Sequence, residues 1–143
     1  MSVKKFPVKV VSYGRYSRWD ASSKELPKLQ EFTREIEAEV GVEFGYIVKI
    51  QKARRETIDY AIHHPPFKGS DGEIAPTFTG TMRIPTNDYL FFIGDTLWEP
   101  LADMCGTWRL TLSIRGRLIA DQSFSIVPPE TSAPESRAVG SSP

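Results

Sequence analysis

The stretch that decides the fold is residues 106–126: Gly106-Thr107-Trp108-Arg109-Leu110-Thr111-Leu112-Ser113-Ile114, then Arg115-Gly116-Arg117, then Leu118-Ile119-Ala120-Asp121-Gln122-Ser123-Phe124-Ser125-Ile126. Trp108, Leu110, Leu112 and Ile114 alternate with Arg109, Thr111, Ser113 and Arg115. A strand sends successive side chains to opposite faces, so a period of two reads as one dry and one wet face. Arg115-Gly116-Arg117 reads as a tight turn. Leu118, Ala120, Phe124 and Ile126 continue on alternate positions, with Gln122 the polar exception. The stretch therefore predicts a β-hairpin whose pairing is well specified, because a one-residue slip would expose every apolar side chain.

The same period recurs upstream. Residues 8–16 read as a first strand rich in β-branched residues, and Trp19 to Ser23 as a loop. Phe44 to Lys52 and Thr57 to His63 each alternate, and the short Arg54-Arg55-Glu56 connection predicts that they pair as a hairpin. Pro65 and Pro66 end the second of these, since neither can donate to a ladder. A turn cluster at 68–72 leads to an alternating run at 78–84. Tyr89 to Ile93 reads as a buried strand, and 94–105 as an irregular corner anchored by Leu97 and Trp98. Residues 27–40 read two ways. Leu29, Phe32, Ile36 and Val40 share a helical face, with Pro27 and Gly41 suited to its ends. Residues 34–38 also alternate as a short strand would.

These elements predict an all-β, antiparallel β-sandwich of about seven to eight strands spanning 1–127, with a short helix near 27–32 kept open. From Pro128 the chain is Pro-, Ser- and Glu-rich with almost no apolar content, which predicts a disordered tail over 128–143.

Composition narrows function mostly by exclusion. The chain has 143 residues, 18 basic against 18 acidic, and a formal net charge of zero. A dedicated nucleic-acid binder would carry a basic excess, so none is expected as partner. The single cysteine, Cys105, excludes an internal disulfide. No run of about 18 apolar residues is present, and Lys4, Lys5 and Pro7 break up any leader-like start, so the sequence reads as cytoplasmic with no membrane partner.

The chemistry-bearing residues are sparse. His63 and His64 are adjacent on a strand, point to opposite faces and do not converge on one metal. Cys105 lacks any signature of a cysteine hydrolase around it. There is no Gly-x-Ser-x-Gly elbow and no phosphate loop. Asp95 and Glu99 lie in the corner before Leu101, where Asp95 suits a hydrogen-bonding corner role. No catalytic residue, metal ligand or cofactor is predicted. The residues set aside as partner or ligand contacts are the aromatic Trp19, Trp98 and Tyr16, because exposed aromatic side chains mark binding surfaces.

Two motifs carry a resemblance. Ile36-x-Ala38-x-x-Gly41-x-x-Phe44-Gly45, with His64-Pro65-Pro66 after a strand, and the closing Gly106-x-Trp108 hairpin, resemble a small bacterial family of immunoglobulin-like sandwich domains of unknown function. The resemblance covers about Val8 to Val127. It implies an immunoglobulin-like sandwich, an extended Thr33 to Val40, and no known activity. The function expected is a non-catalytic protein-interaction or structural module, monomeric or weakly self-associating through edge strands. The alternative is a carbohydrate- or small-ligand-binding sandwich that uses the loop tryptophans.

Overall fold

In a computed structural model of the chain, residues 6–17, 25–67 and 72–129 are described. Among them are nine strands and one short helix: β1 Val8–Tyr16, β2 Leu29–Glu31, β3 Glu35–Glu37, β4 Glu43–Gln51, β5 Thr57–His63, β6 Phe78–Arg83, β7 Asp88–Thr96, α1 Leu101–Met104, β8 Gly106–Ile114 and β9 Arg117–Val127. The strands make two sheets, one ordered β2-β1-β4-β7 and the other β3-β9-β8-β5-β6. No described helix is long and apolar enough to cross a membrane. Trp19 and the residues from 130 onward lie outside the described residues, and with them most of the 128–143 tail; the last strand ends at Val127.

The alternation of the closing hairpin becomes one wall of the core. Trp108, Leu110, Leu112, Ile114, Phe124 and Ile126 are all buried, facing Phe44, Tyr46, Val48 and Ile50 of β4 across the gap. Phe44 sits edge-on to both Trp108 and Phe124, with ring centroids at 5.3 and 5.7 Å. Arg115 and Gly116 both have positive φ, at 54° and 76°. That pair of values is what a two-residue turn needs to match the twist of its strands. Leu118 departs from the expected alternation. Leu112 pairs Ala120 but Ser113 pairs Leu118, so Ile119 is an extra residue. The bulge turns Leu118 outward, where it is 51 % exposed.

Residues 44–52 and 57–63 do not form a hairpin: β4 belongs to one sheet and β5 to the other. The link between them is captured by a different segment. Lys52 N donates to Asn87 O, Arg55 N to Ile84 O, and Ile84 N to Glu56 O. Lys52 and Arg55 take positive φ, and Ala53 is buried beneath the crossing. The chain therefore switches sheets where a turn was expected.

The region 27–40 forms two short strands separated by a bend at Arg34 and ends in a turn at Val40, and no helix forms near 27–32. Leu29, Phe32 and Val40 are exposed whereas Ile36 is buried, so the residues at helical spacing never share a dry face. β2 pairs with the end of β1, and β3 runs parallel to β9. These two strands have three residues each, too short for any alternation to announce them. They raise the count above the seven or eight expected. The helix lies instead in the corner, at 101–104, where the Trp108 indole N–H donates to the Met104 carbonyl oxygen at 2.7 Å.

A row of glycines sets the spacing in the first sheet. Gly14 pairs Gly45, and Gly45 pairs Gly94. A Cβ on Gly45 would lie 2.1 Å from Ile93 O and 2.6 Å from Gly94 Cα. Only glycine permits that approach, and it lets β7 follow β4 through nine continuous pairs with no bulge.

Candidate functional site

The aromatic contacts expected from sequence do not assemble. Tyr16 is buried, with 2 % exposure, which corrects its reading as a surface contact. Its ring stands edge-on to Phe92 at 5.1 Å, its hydroxyl shares a 2.7 Å hydrogen bond with Ser12, and Ile47 and Leu26 complete a small outer cluster. Trp98 is 39 % exposed and meets Phe67 edge-on at 6.4 Å. The two rings thus have different neighbours in different parts of the sandwich.

His63 is exposed, whereas His64 packs among aromatic rings. His64 faces the Pro65 and Pro76 carbonyl oxygens through Nδ1 and Nε2, at 2.8 and 2.7 Å, and its ring packs against both Phe67 and Phe78. Among the described residues no three of His, Cys, Asp or Glu are grouped to hold a metal. The Cys105 thiol donates to Leu101 O at 3.5 Å, and burial pushes it up, away from the reactive thiolate.

What the fold does assemble lies where the two sheets fail to close. β7 is the edge of one sheet and β6 the edge of the other. Between them is a cleft of about 390 Å³, lined by Tyr60, Ile62, Phe78, Met82, Phe91 and Ile93 among others, with Asp95 in its wall. That volume falls within the range of small-ligand clefts, roughly 300–1,000 Å³. Its shape follows from strand alternation. Tyr60 pairs Gly80, and a Cβ on Gly80 would come 2.3 Å from the Tyr60 hydroxyl oxygen, so the missing side chain makes room for the phenol ring. Tyr89, Phe91, Ile93 and Asp95 are alternate residues of β7, paired with Ile50, Val48, Tyr46 and Phe44, and share their inward face.

Among the described residues Asp95 is the one carboxylate of this lining. Its Oδ1 accepts from Thr96 N at 2.8 Å, which is the corner hydrogen bond its position suggested. Burial nevertheless pushes its carboxyl up to about 6, with Glu43 adding to the rise while the Thr96 N–H and His64 oppose it. Glu43, on the other face of the sheet, is itself buried and accepts from Thr96 Oγ1 at 2.8 Å. Sequence reasoning missed the placement of Asp95 because the strand seemed to stop at Ile93. The signal was there: continuing the alternation by one step puts Asp95 inside.

The profile of the family described as "Domain of unknown function (DUF3859)" matches residues 4–126. The chain belongs to the DUF3859 family. The match spans both motifs that carry the resemblance, and it includes every strand through all but the last residue of β9. Among solved structures, this DUF3859 chain is similar to an immunoglobulin-like protein (PA1606) from Pseudomonas aeruginosa. The identity is 20 %, the TM-score 0.67, and the alignment covers 85 % of this chain and 97 % of the other. The DUF3859 sandwich is therefore immunoglobulin-like in architecture. A search of the curated proteins gives no match.

Proposed function

We propose that this DUF3859 protein is a non-catalytic binding module whose site is the open side of the sandwich, between β6 and β7, and whose partner is a protein segment in extended conformation. The carrying observation is that the edge strands of the two sheets, β6 and β7, flank one apolar cleft. An edge strand can take an incoming strand on its outer side, and alternate side chains of that strand need pockets. β7 supplies nine residues in unbroken register with β4, and the cleft supplies the pocket. The other two edge strands, β2 and β3, have three residues each and offer little to pair with. The exposed Met82, on β6, adds to the apolar lining of the cleft.

The test is selection of a random peptide library against the full chain, followed by mapping the selected peptides on the amide spectrum of the ¹⁵N-labelled protein. Shift changes along 78–83 and 88–96 are expected. Peptides that map to Trp98 or Phe32, or a library that yields no binder, overturn the reading. Light scattering separates a second copy as occupant: concentration-dependent dimerisation abolished by Phe91→Ser would make this chain its own partner.

A further inference from the structure

Resting on that reading of the open side, we propose that the cleft takes a lysine-like side chain of the partner segment, its alkyl stem on the apolar walls and its ammonium paired with Asp95. The walls and the carboxylate make conflicting demands on any other occupant. A purely apolar group fits Ile62, Phe78, Phe91 and Ile93 but strips water from a carboxylate that it cannot pair. An anion meets the charge of Asp95, with Glu43 close behind it in the sheet. A neutral polar group wastes the apolar surface. An ammonium on an alkyl stem satisfies both. The cation offsets the desolvation of Asp95, and Tyr60, Phe78 and Phe91 put aromatic rings, to which cations are drawn, into the lining.

The environment of Asp95 is consistent with a carboxylate short of positive charge. Among the described residues the hydrogen bond it accepts comes from Thr96 N alone. Among the described residues the charged groups that bear on it are Glu43 from β4 and His64 from the segment after β5. Burial outweighs the help of Thr96 and His64, so the carboxyl is held above its ordinary range. A bound cation would reverse this and pull it down.

The experiment titrates the full ¹⁵N-labelled chain with three probes, n-hexylammonium, n-hexanol and hexanoate, at pH 7.5. The expected result is that hexylammonium shifts the amides of Tyr60, Phe78, Ile93 and Asp95 and binds about tenfold more tightly than hexanol. Asp95→Asn is expected to bring the amine to the affinity of the alcohol and leave the alcohol unchanged. In the wild type, the affinity for the amine is expected to fall as pH drops through about 6, where Asp95 takes up a proton. This readout stands even where the variant fails to fold. Equal affinity for amine and alcohol, tighter binding of hexanoate, or amine shifts elsewhere on the surface overturn the proposal. The two readings fail separately. A selected peptide that maps to β6 and β7 but binds equally well with its lysine replaced by norleucine sinks the cation and leaves the edge-strand site standing. Peptides that map elsewhere sink the edge-strand site, whatever hexylammonium does.

Discussion

Tyr46 on β4 donates its hydroxyl to the Leu110 carbonyl oxygen on β8, 2.7 Å away, so one phenol joins the two sheets through the middle of the core. Both residues are fully buried. The ring fills volume on the first sheet, and the hydroxyl reaches an acceptor on the second that no water can serve. Burial pushes this phenol far above its ordinary range, so it stays a donor at any pH the fold survives. Tyr46→Phe keeps the ring and deletes the bond. It is expected to cost about 1–2 kcal/mol in urea unfolding with an unchanged m-value. In the wild type, phenolate absorbance on alkaline titration should reach its full five-tyrosine amplitude only when the chain unfolds.

The glycine row carries a second prediction. At Gly45 any side chain meets backbone of β7, not a side chain that can swing away. Gly45→Ala is therefore expected to separate β4 from β7 locally and to cost more than about 2 kcal/mol, the range of an overpacked core. Val42→Ala, at a buried position just before β4, is the control. It should cost stability without changing hydrogen-exchange protection along 88–96, whereas Gly45→Ala should lower protection there.

The parts of this fold that could be read in the sequence are those in which alternation and burial coincide. The closing hairpin is the plainest case, since Leu110, Leu112 and Phe124 alternate and all three are dry. What stayed hidden was set by contacts between distant segments. The link after β4 looks like a hairpin turn until Ile84 and Asn87 take its hydrogen bonds. The 27–40 region looks helical because four apolar residues fall at helical spacing, yet β1 and β9 recruit its pieces as short edge strands. The cleft was hidden for the same reason. Phe78 and Phe91 were each legible as strand residues, but nothing local says that the edges of two different sheets meet there. Tyr16 was misplaced because a polar aromatic near a loop gives no sign of being covered.

Tyr60 and Gly80 make the shape of the cleft testable without any ligand. A methyl at position 80 meets only the far end of the Tyr60 side chain, so the phenol can move and the backbone need not. Gly80→Ala is expected to displace the Tyr60 ring into the cleft at a modest cost, about 1 kcal/mol. In a Tyr60→Leu background the same substitution should cost less, because the colliding atoms are gone. A double-mutant cycle by urea unfolding measures the difference, expected at about 0.5–1 kcal/mol of coupling. Additive costs would place the Tyr60 ring away from Gly80.

Asp95 ties the stability of the fold to pH, and the sign follows from the direction of its shift. The carboxyl titrates at about 6 in the folded chain against an ordinary 3.8. Between those values the folded state holds a proton that the unfolded chain has released, so stability falls as pH rises through this window. Below about 4 both states are protonated and the burial of Asp95 carries no charge penalty. Above about 6 the full penalty applies, at most about 3 kcal/mol from the size of the shift. Asp95→Asn removes the charge and keeps the shape. Relative to wild type, the variant should gain stability steadily from pH 4 to 6 and hold that gain to pH 8, as read from unfolding free energies across the range. A flat difference would mean that water already solvates the carboxylate. A difference of opposite slope would mean that a cation within the folded chain already pairs with it, and a partner's ammonium would then have no charge left to answer.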